Sequence, residues 1–302
     1  MNRNYLQSLI QGTPAPIPTA FDAACRLDLA KMADMTQWWV EQGLGTKTAA
    51  FKVASAMGQG PDLGDDEWPH LLSTVVDAAG SGATILCALK AKNTLHTIED
   101  AKRAQDLGAA GLQIDLPFFH HPDQDANVRH FTAISDAIDI GIMIYNTWWF
   151  CQNPAKEYIN ADTMSRLEDA ERVVAIKWST PPGEEYDQMS LFSGKFSVID
   201  NTGDKIRCHR NGGRGYISSL ISAYAQYDLD LWQLLEAERY EEARKKEEEV
   251  VRVFAQHGGA GTSALLAAMG RPMGTTRPPS LPPTDSQIAG ARSALTDLGW
   301  VQ

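Results

Sequence analysis

The chain has 302 residues, of which 43% are hydrophobic and 22% are charged, and its formal net charge is −11. This length is sufficient for one large hydrophobic core. The acidic balance argues against binding to nucleic acid or to anionic membrane surfaces, both of which attract basic proteins. No apolar run approaches about 18 residues, so no membrane-spanning segment is expected.

Four scattered cysteines without a C-x-x-C pair indicate free thiols in a reducing compartment. Residues 1–16 lack the apolar segment of a signal peptide. We therefore expect a cytoplasmic protein.

Short apolar segments alternate with amphipathic segments through the first two thirds of the chain. Predicted strands lie within residues 15–21, 46–56, 83–89, 111–117, 140–147, 173–180, 195–200 and 213–219. The longer predicted helices between them cover residues 28–42, 65–79, 94–107, 127–139 and 161–170. This alternation favours parallel strands with right-handed crossovers, and thus an α/β fold of the (β/α)8 TIM barrel type. An open doubly wound sheet is the alternative, but no G-x-G-x-x-G follows the first strand.

The pattern changes after the eighth predicted strand. Helices are predicted over residues 231–256, 262–269 and 285–298, with a glycine-containing break at 258–261. The charged run in the first of these helices indicates a solvated face stabilised by pairs four residues apart. We expect residues 1–222 to form the barrel and residues 223–302 to form a helical segment packed on it.

Polar residues at the ends of the fifth and sixth predicted strands are the best candidates for catalysis. The two strands, IGIMIYNT and VVAIKWST, contain Tyr145 and Lys177 near their carboxyl ends, where barrels of this type have their active sites. Burial disfavours the ammonium form of a lysine, and a neutral lysine can form a Schiff base with a carbonyl compound. We predict that Lys177 is this nucleophile and that Tyr145 is its proton-transfer partner. The alternatives are a salt-bridged lysine and a buried tyrosine with a satisfied hydroxyl.

Five motifs carry a resemblance to a known family. They are Pro117-Phe118-Phe119 with His130-Phe131, Tyr145-Asn146, Ala175-Ile176-Lys177, Gly213-Arg214-Gly215-Tyr216-Ile217-Ser218, and Arg277-Pro278-Pro279. Because of the order and spacing of these motifs, the chain resembles the N-acetylneuraminate lyase and dihydrodipicolinate synthase family of class I aldolases.

The resemblance implies a lyase that binds a 2-oxo acid, typically pyruvate or a pyruvate-derived sugar acid, as an imine of Lys177. A protonated imine stabilises the enamine that forms when the adjacent C–C bond breaks or a proton leaves. Tyr145 would transfer protons to and from groups within about 3 Å. The resemblance also implies a homotetramer built as a dimer of dimers, a small-molecule substrate, and no cofactor or metal.

The second strand departs from the family pattern. Family members usually end it with Gly-Ser/Thr-Thr-Gly-Glu, whose hydroxyls and amides bind the substrate carboxylate. The matching residues are Ser55, Ala56, Met57, Gly58 and Gln59, with Ala56 and Met57 at the hydroxyl positions. Ser55 and the amides near Gly58 remain candidate carboxylate ligands. The loss argues against pyruvate itself and motivates an alternative, a barrel that binds a ligand or partner without aldol turnover.

Two further departures concern the synthase branch. There, an arginine follows the Tyr-Asn pair, and a tyrosine from a neighbouring subunit completes a proton relay. Here, residues 147–151 contain no cation, and Phe119 replaces the tyrosine. A lysine-biosynthetic dihydrodipicolinate synthase is therefore not expected.

Aromatic residues near the predicted strand ends, among them Phe119, Trp148 and Trp178, suit a bulky or aromatic substrate moiety. Hydratase-aldolases of the family act on such substrates. The alternative is that these rings pack under loops or at a subunit interface.

The resemblance assigns further substrate contacts to Asn146, Thr202 and Ile217. A different alternative places a metal at His120 or His121, with Asp115 and Asp123 nearby, although two adjacent histidines in a loop lack the usual ligand spacing.

Overall fold

Eight parallel strands form a closed ring in the computed structural model, which describes residues 2–259 and 261–301. The strands are β1 (Ala15–Pro16), β2 (Phe51–Val53), β3 (Ile85–Leu89), β4 (Gly111–Asp115), β5 (Gly141–Tyr145), β6 (Val173–Trp178), β7 (Ser197–Asp200) and β8 (Gly215–Tyr216). Strands that are consecutive in the chain are neighbours in the sheet. A parallel bridge between Gly12 and Gly215 joins the segment before β1 to β8. The predicted (β/α)8 barrel is confirmed.

Helices precede, separate and surround the strands. Those of the barrel are α1 (Arg3–Ser8), α2 (Leu29–Glu41), α3 (Glu67–Ala79), α4 (Thr94–Asp106), α5 (Gln124–Ala137), α6 (Pro154–Glu157), α7 (Ala161–Arg166) and α8 (Lys205–Arg210). Side chains of Asp28, Asn93 and Asp123 accept backbone N–H bonds at the starts of α2, α4 and α5. Such caps define where a helix begins, which is why the predicted helix boundaries lie close to the observed ones.

The amino-terminal half of the barrel interior is apolar and closed. Leu6 of α1 and Ile10 pack there against Met143 and other inward side chains. Gly141 leaves room for them, because a Cβ at this position would lie 2.9 Å from Val174 Cγ2 and 3.4 Å from Leu6 Cβ. Asp115, Tyr145 and Lys177 lie instead at or next to the carboxyl ends of their strands.

Four helices follow β8: α9 (Ala225–Glu236), α10 (Tyr240–Gln256), α11 (Thr262–Ala268) and α12 (Asp285–Asp297). The prediction of one helix over residues 231–256 is wrong, because the chain turns between α9 and α10 at Glu238, which has a φ of 55°. Leu231 and Trp232 of α9 pack with Tyr216 of β8, so these helices lie against the barrel. Ala260, within the predicted break, lies outside the described residues. Among residues 2–259 and 261–301, no helix is long and apolar enough to cross a membrane.

Candidate active site

Three candidate functional side chains, those of Asp115, Tyr145 and Lys177, lie in one row at the carboxyl end of the barrel. Asp115 of β4 is paired in register with Tyr145 of β5, and Tyr145 is paired with Lys177 of β6. Side chains at paired positions of neighbouring strands point to the same face of a sheet. The row therefore brings the predicted nucleophile and its predicted partner together, and it places a carboxyl group beside them.

The Lys177 amine is enclosed by protein. The residue is only 3% exposed, and Nζ lies 3.6 Å from the centroid of the Tyr145 ring. Burial lowers the pKa of Lys177 well below its usual value, and the positive charge of Lys52 lowers it further, whereas the charge of Asp115 opposes the shift. Lys177 therefore binds its proton weakly, so a neutral and nucleophilic amine is accessible.

A second lysine belongs to the same buried cluster. Lys52 of β2 is 1% exposed, and burial lowers its pKa to about 8 against the attraction of Asp115. Burial raises the pKa of Asp115 to about 7, although Lys177 and Lys52 both favour its ionised form. Lys52 is absent from the residues expected at the site, and Asp115 is expected only near a metal. The available signal is the sequence of β2, in which a lysine stands between Phe51 and Val53.

The Tyr145 phenol keeps its proton. Burial and the nearby charge of Asp115 raise the pKa of Tyr145 above its usual value, and the Asn201 side chain opposes this shift. A tyrosine in this state can donate a hydrogen bond or a proton, but it is a poor base at neutral pH.

The loop after β2 borders the same end of the barrel. Ser55 is buried, and its Oγ has no hydrogen-bond partner among the described residues. The exposed residues Ala56 and Met57 begin a short 3-10 turn that ends at Gly58, and the first amides of such a turn have no partner within it. Gly58 passes close to the residue that follows β1, because a Cβ there would lie 2.2 Å from the carbonyl oxygen of Ile17. This loop offers the Ser55 hydroxyl and free amides as hydrogen-bond donors.

Two 3-10 turns, Phe118–His120 after β4 and Trp148–Phe150 after β5, carry five aromatic residues that we call the aromatic rim. They are Phe118, Phe119, Trp148, Trp149 and Phe150. The Trp149 ring lies edge-on to Tyr145, with 5.8 Å between the ring centroids. Trp148 instead packs against the core outside the barrel, and Phe119 is 74% exposed. Trp149, more than Trp148, is thus the indole that borders the row of Asp115, Tyr145 and Lys177.

Comparison of the sequence with models of protein families identifies the family to which the chain belongs. The model of the Dihydrodipicolinate synthetase family matches residues 10–297, which is nearly the whole chain. The chain belongs to this family. The resemblance carried by its five motifs is therefore confirmed.

Relatives of known name agree with this assignment. A 4-hydroxy-tetrahydrodipicolinate synthase from Acidothermus cellulolyticus is 27% identical over 298 residues, which cover 94% of this chain and 91% of the relative. A protein of the same name from Cutibacterium acnes is 28% identical over 276 residues, covering 89% and 90% of the two chains.

Solved structures share the fold. Dihydrodipicolinate synthase from Thermotoga maritima superposes with a TM-score of 0.81 at 23% identity, covering 97% of this chain and all of its own. CdNal from Clostridium difficile, solved in complex with mannosamine, gives a TM-score of 0.82 at 15% identity, with 95% and 98% covered.

Two of the substrate contacts predicted from the sequence, Trp178 from the aromatic residues and Asn146 from the family resemblance, point away from the interior. Trp178 follows the inward Lys177 and therefore faces outward, where its Nε1 donates to the Tyr186 carbonyl at 3.0 Å and the residue is 1% exposed. Asn146 likewise follows the inward Tyr145. Its side chain donates to the Ile159 carbonyl at 2.8 Å and accepts from the Ile159 N–H at 3.1 Å. Strand alternation thus corrects both expectations and gives these residues structural roles.

Two other family-based candidates, Thr202 and Ile217, lie near the carboxyl ends of β7 and β8. The Thr202 hydroxyl donates to Asp200 Oδ1 at 2.7 Å and is part of a turn that also uses the Gly203 amide. Ile217 is half-buried and packs against the apolar interior cluster. Their contact with substrate stays a prediction.

The residues named for a metal site are dispersed. Asp123 caps α5, Asp115 is an interior residue, and His121 Nδ1 lies 3.3 Å from Glu157 Oε2. Throughout the part of the chain that the structure describes, no three His, Cys, Asp or Glu side chains are arranged to bind a metal ion. The metal alternative at His120 or His121 therefore has no supporting ligand group.

Proposed function

We propose that this protein is a Schiff-base-forming lyase, an aldolase or a dehydratase/hydratase-aldolase, that acts on a 2-oxo acid through an imine of Lys177. The observation that carries the proposal is the Lys177 amine, which is buried at the carboxyl end of the barrel, 3.6 Å from the Tyr145 ring centroid. A buried amine with a depressed pKa is a nucleophile. Membership of a family of class I aldolases supports the same chemistry.

The proposed reaction begins when the neutral Lys177 amine attacks the carbonyl carbon of the substrate. The carbinolamine loses its oxygen as water, and the phenol of Tyr145 is the donor that protonates this leaving oxygen. The resulting protonated imine withdraws electrons from the adjacent carbon. Cleavage of a C–C bond, or loss of a proton from the adjacent carbon, then produces an enamine on Lys177. After cleavage the enamine is protonated at carbon, and in a dehydration it instead expels the β-hydroxyl as water to give an α,β-unsaturated imine. Hydrolysis of the resulting imine releases the product and restores the free amine.

The substrate is proposed to be a 2-oxo acid with a bulky or aromatic moiety. Ser55 Oγ and the amides at the start of the following turn are candidate donors to its carboxylate. The Trp149 ring beside Tyr145 provides an apolar wall for the rest of the molecule.

Borohydride trapping tests the proposal directly. The protein is incubated with pyruvate, 2-oxobutanoate, phenylpyruvate or benzylidenepyruvate, reduced, and analysed by intact mass and peptide mapping. We expect one adduct, on Lys177, and none after Lys177→Arg, which keeps a long side chain but removes the reactive amine. Lys195→Arg, at an exposed lysine paired with Glu168, is the matched control and should trap as the wild type does.

The outcomes separate the proposal from its alternative. If none of the carbonyl compounds forms an adduct, the imine mechanism is refuted. An adduct on Lys177 without release of any product would favour the alternative of a barrel that binds without turnover, which the non-hydroxyl residues Ala56 and Met57 motivate.

We also propose a homotetramer, on the strength of family membership and of the exposed aromatic rings of Phe119 and Phe150. Light scattering on the purified protein should give about four times the chain mass of 33.1 kDa. A mass of one chain at micromolar concentration would contradict the assembly but leave the imine chemistry untouched.

A further inference from the structure

Two carboxylates at the carboxyl end of the barrel, Asp115 and Asp200, differ in how their oxygens are hydrogen-bonded. Asp200, at the same end of the barrel, accepts bonds on both oxygens, from the Tyr186 and Thr202 hydroxyls and the Gly203 amide among others. Asp115 Oδ1 is buried and accepts no hydrogen bond from the described residues. Asp200 is committed to its turn, whereas Asp115 can still exchange a proton.

We propose that Asp115 is a second proton-transfer residue of this site, and that the buried Lys52 is a positioning residue that holds Asp115 in its ionised form. The inference rests on the proposed imine chemistry of Lys177. It names the group that takes the proton from the carbon next to the imine, a step for which the phenol of Tyr145 is poorly suited.

The charged groups around Asp115 support this assignment. Lys52 of β2 and Lys177 of β6 both attract its negative charge, the Gln113 side chain of β4 also favours its ionised form, and Tyr145 of β5 is its register neighbour. The pKa of Lys177 is lowered well below its usual value, whereas that of Lys52 falls only to about 8. Lys52 is therefore the lysine that keeps its proton and balances the Asp115 carboxylate, and Lys177 remains the free amine.

The two candidate bases have opposite properties at neutral pH. The raised pKa of Tyr145 makes its phenolate scarce. The pKa of Asp115 is about 7, so its carboxylate and carboxylic acid forms are both populated, which is the condition under which a group both accepts and returns protons efficiently. Tyr145 is thus the donor to the leaving oxygen, and Asp115 is the base.

The step balances without any further reactant. The Asp115 carboxylate forms an O–H bond with a hydrogen of C3 of the Lys177-bound substrate. The electrons of the C3–H bond become the C2=C3 double bond, and the electrons of the C2=N bond become a lone pair on nitrogen. The products are a neutral enamine and the carboxylic acid of Asp115, which returns its proton in the reverse step.

Hydrogen exchange at C3 measures this step apart from imine formation. The protein is mixed with 2-oxobutanoate in D2O, the loss of the C3 signal is followed by proton NMR, and the rate is divided by the imine fraction trapped with borohydride. For Asp115→Asn we expect the adduct on Lys177 to persist and the exchange rate per imine to fall about 100-fold or more. Asp115→Glu should restore part of it. Asp228→Asn, which changes a buried carboxylate bonded to Ser218, is the control and should exchange as the wild type does.

The pH profile tests the role of Lys52. Exchange in the wild type should rise with pH as Asp115 ionises. Lys52→Met removes the charge that favours ionisation, so the midpoint should move to higher pH, and Lys52→Arg should return it toward the wild-type value. If Asp115→Asn fails to fold, this pH profile tests the role of Asp115 in its place.

The results distinguish two failures. If the wild type forms no adduct on Lys177, the proposed function fails and this inference fails with it. If adducts form but Asp115→Asn exchanges within threefold of the wild type, or the midpoint of Lys52→Met is unchanged, the assignment of Asp115 is wrong while the imine chemistry stands.

Discussion

Arg277 connects three parts of the chain around the site, and loss of its ion pair with Glu67 should lower the stability of the fold in a pH-dependent way. Its guanidinium pairs with both oxygens of Glu67 at the start of α3, at 2.5 and 2.6 Å. It also donates to the carbonyls of Asp62 and Cys25. The segment between α11 and α12 is thereby tied to the loop that follows β2, which carries Ser55. We predict that Glu67→Gln destabilises the protein at neutral pH and does so much less in acid.

The magnitude follows from the pKa of Glu67, which the Arg277 hydrogen bonds lower from 4.5 to about 2. Each tenfold change in proton affinity corresponds to about 1.4 kcal/mol, so full expression of the shift is worth about 3 kcal/mol. The Glu67 side chain is 26% exposed, and solvent screening reduces the expected effect to about 2 kcal/mol. Because the folded-state pKa is depressed, this stability is present above pH 4.5 and is lost as the pH falls toward 2, with more than half gone by pH 3.

Urea unfolding of the wild type and of Glu67→Gln at pH 7 and pH 3 measures the effect. Glu242→Gln is the matched control, because Glu242 also pairs with an arginine, Arg239, but on a fully solvated helix face. We expect it to change stability little at either pH. An equal loss for Glu67→Gln at both pH values would refute the ionic origin of the stabilisation.

The remaining predictions concern the aromatic rim and the outward-facing residues. Trp149→Ala should lower the imine yield with phenylpyruvate relative to pyruvate by about 10-fold, since one apolar wall is worth about 1–3 kcal/mol, and Trp148→Ala should leave that ratio unchanged in the same trapping assay. Asn146→Ala removes two buried hydrogen bonds and should cost about 2–3 kcal/mol in urea unfolding; a neutral effect would mean that Asn146 does not fasten the Ile159 backbone. Trp178→Ala should cost about 3–5 kcal/mol through loss of core packing, and a stable variant with altered substrate preference would place Trp178 in the pocket after all.

The barrel could be predicted because parallel strands leave a strong sequence signal. Each strand is buried on both faces and appears as a short apolar run, and several of the helices between them begin at a polar cap such as Asn93 or Asp123. The break at Glu238 could not be seen, because the charged, strongly helix-forming residues on both sides favour one continuous helix. The residue in the left-handed conformation is Glu238 and not a glycine, so the sequence carries no marker of the turn.

The inward or outward direction of each side chain was the weaker part of the site prediction. A strand buried on both faces shows no alternation of polar and apolar residues. Which of its side chains face the barrel interior must therefore be inferred from one residue whose direction is already known. Once Lys177 is placed inside the barrel, the next residue, Trp178, must face outward. In the same way, an inward Tyr145 means that Asn146 faces outward. Lys52 is the converse case, because its charge inside an apolar run is itself the signal.

The charge of the buried cluster bears on the substrate class. Before substrate binds, Lys177 is neutral in the proposed mechanism, and the positive Lys52 balances the negative Asp115. Formation of a protonated imine adds one positive charge to a site shielded from water, where an uncompensated charge is costly. A 2-oxo acid brings one carboxylate and restores neutrality, whereas a neutral ketone or aldehyde does not. The electrostatics therefore favour a monoanionic carbonyl compound, even though the family's usual hydroxyl ligands are replaced by Ala56 and Met57.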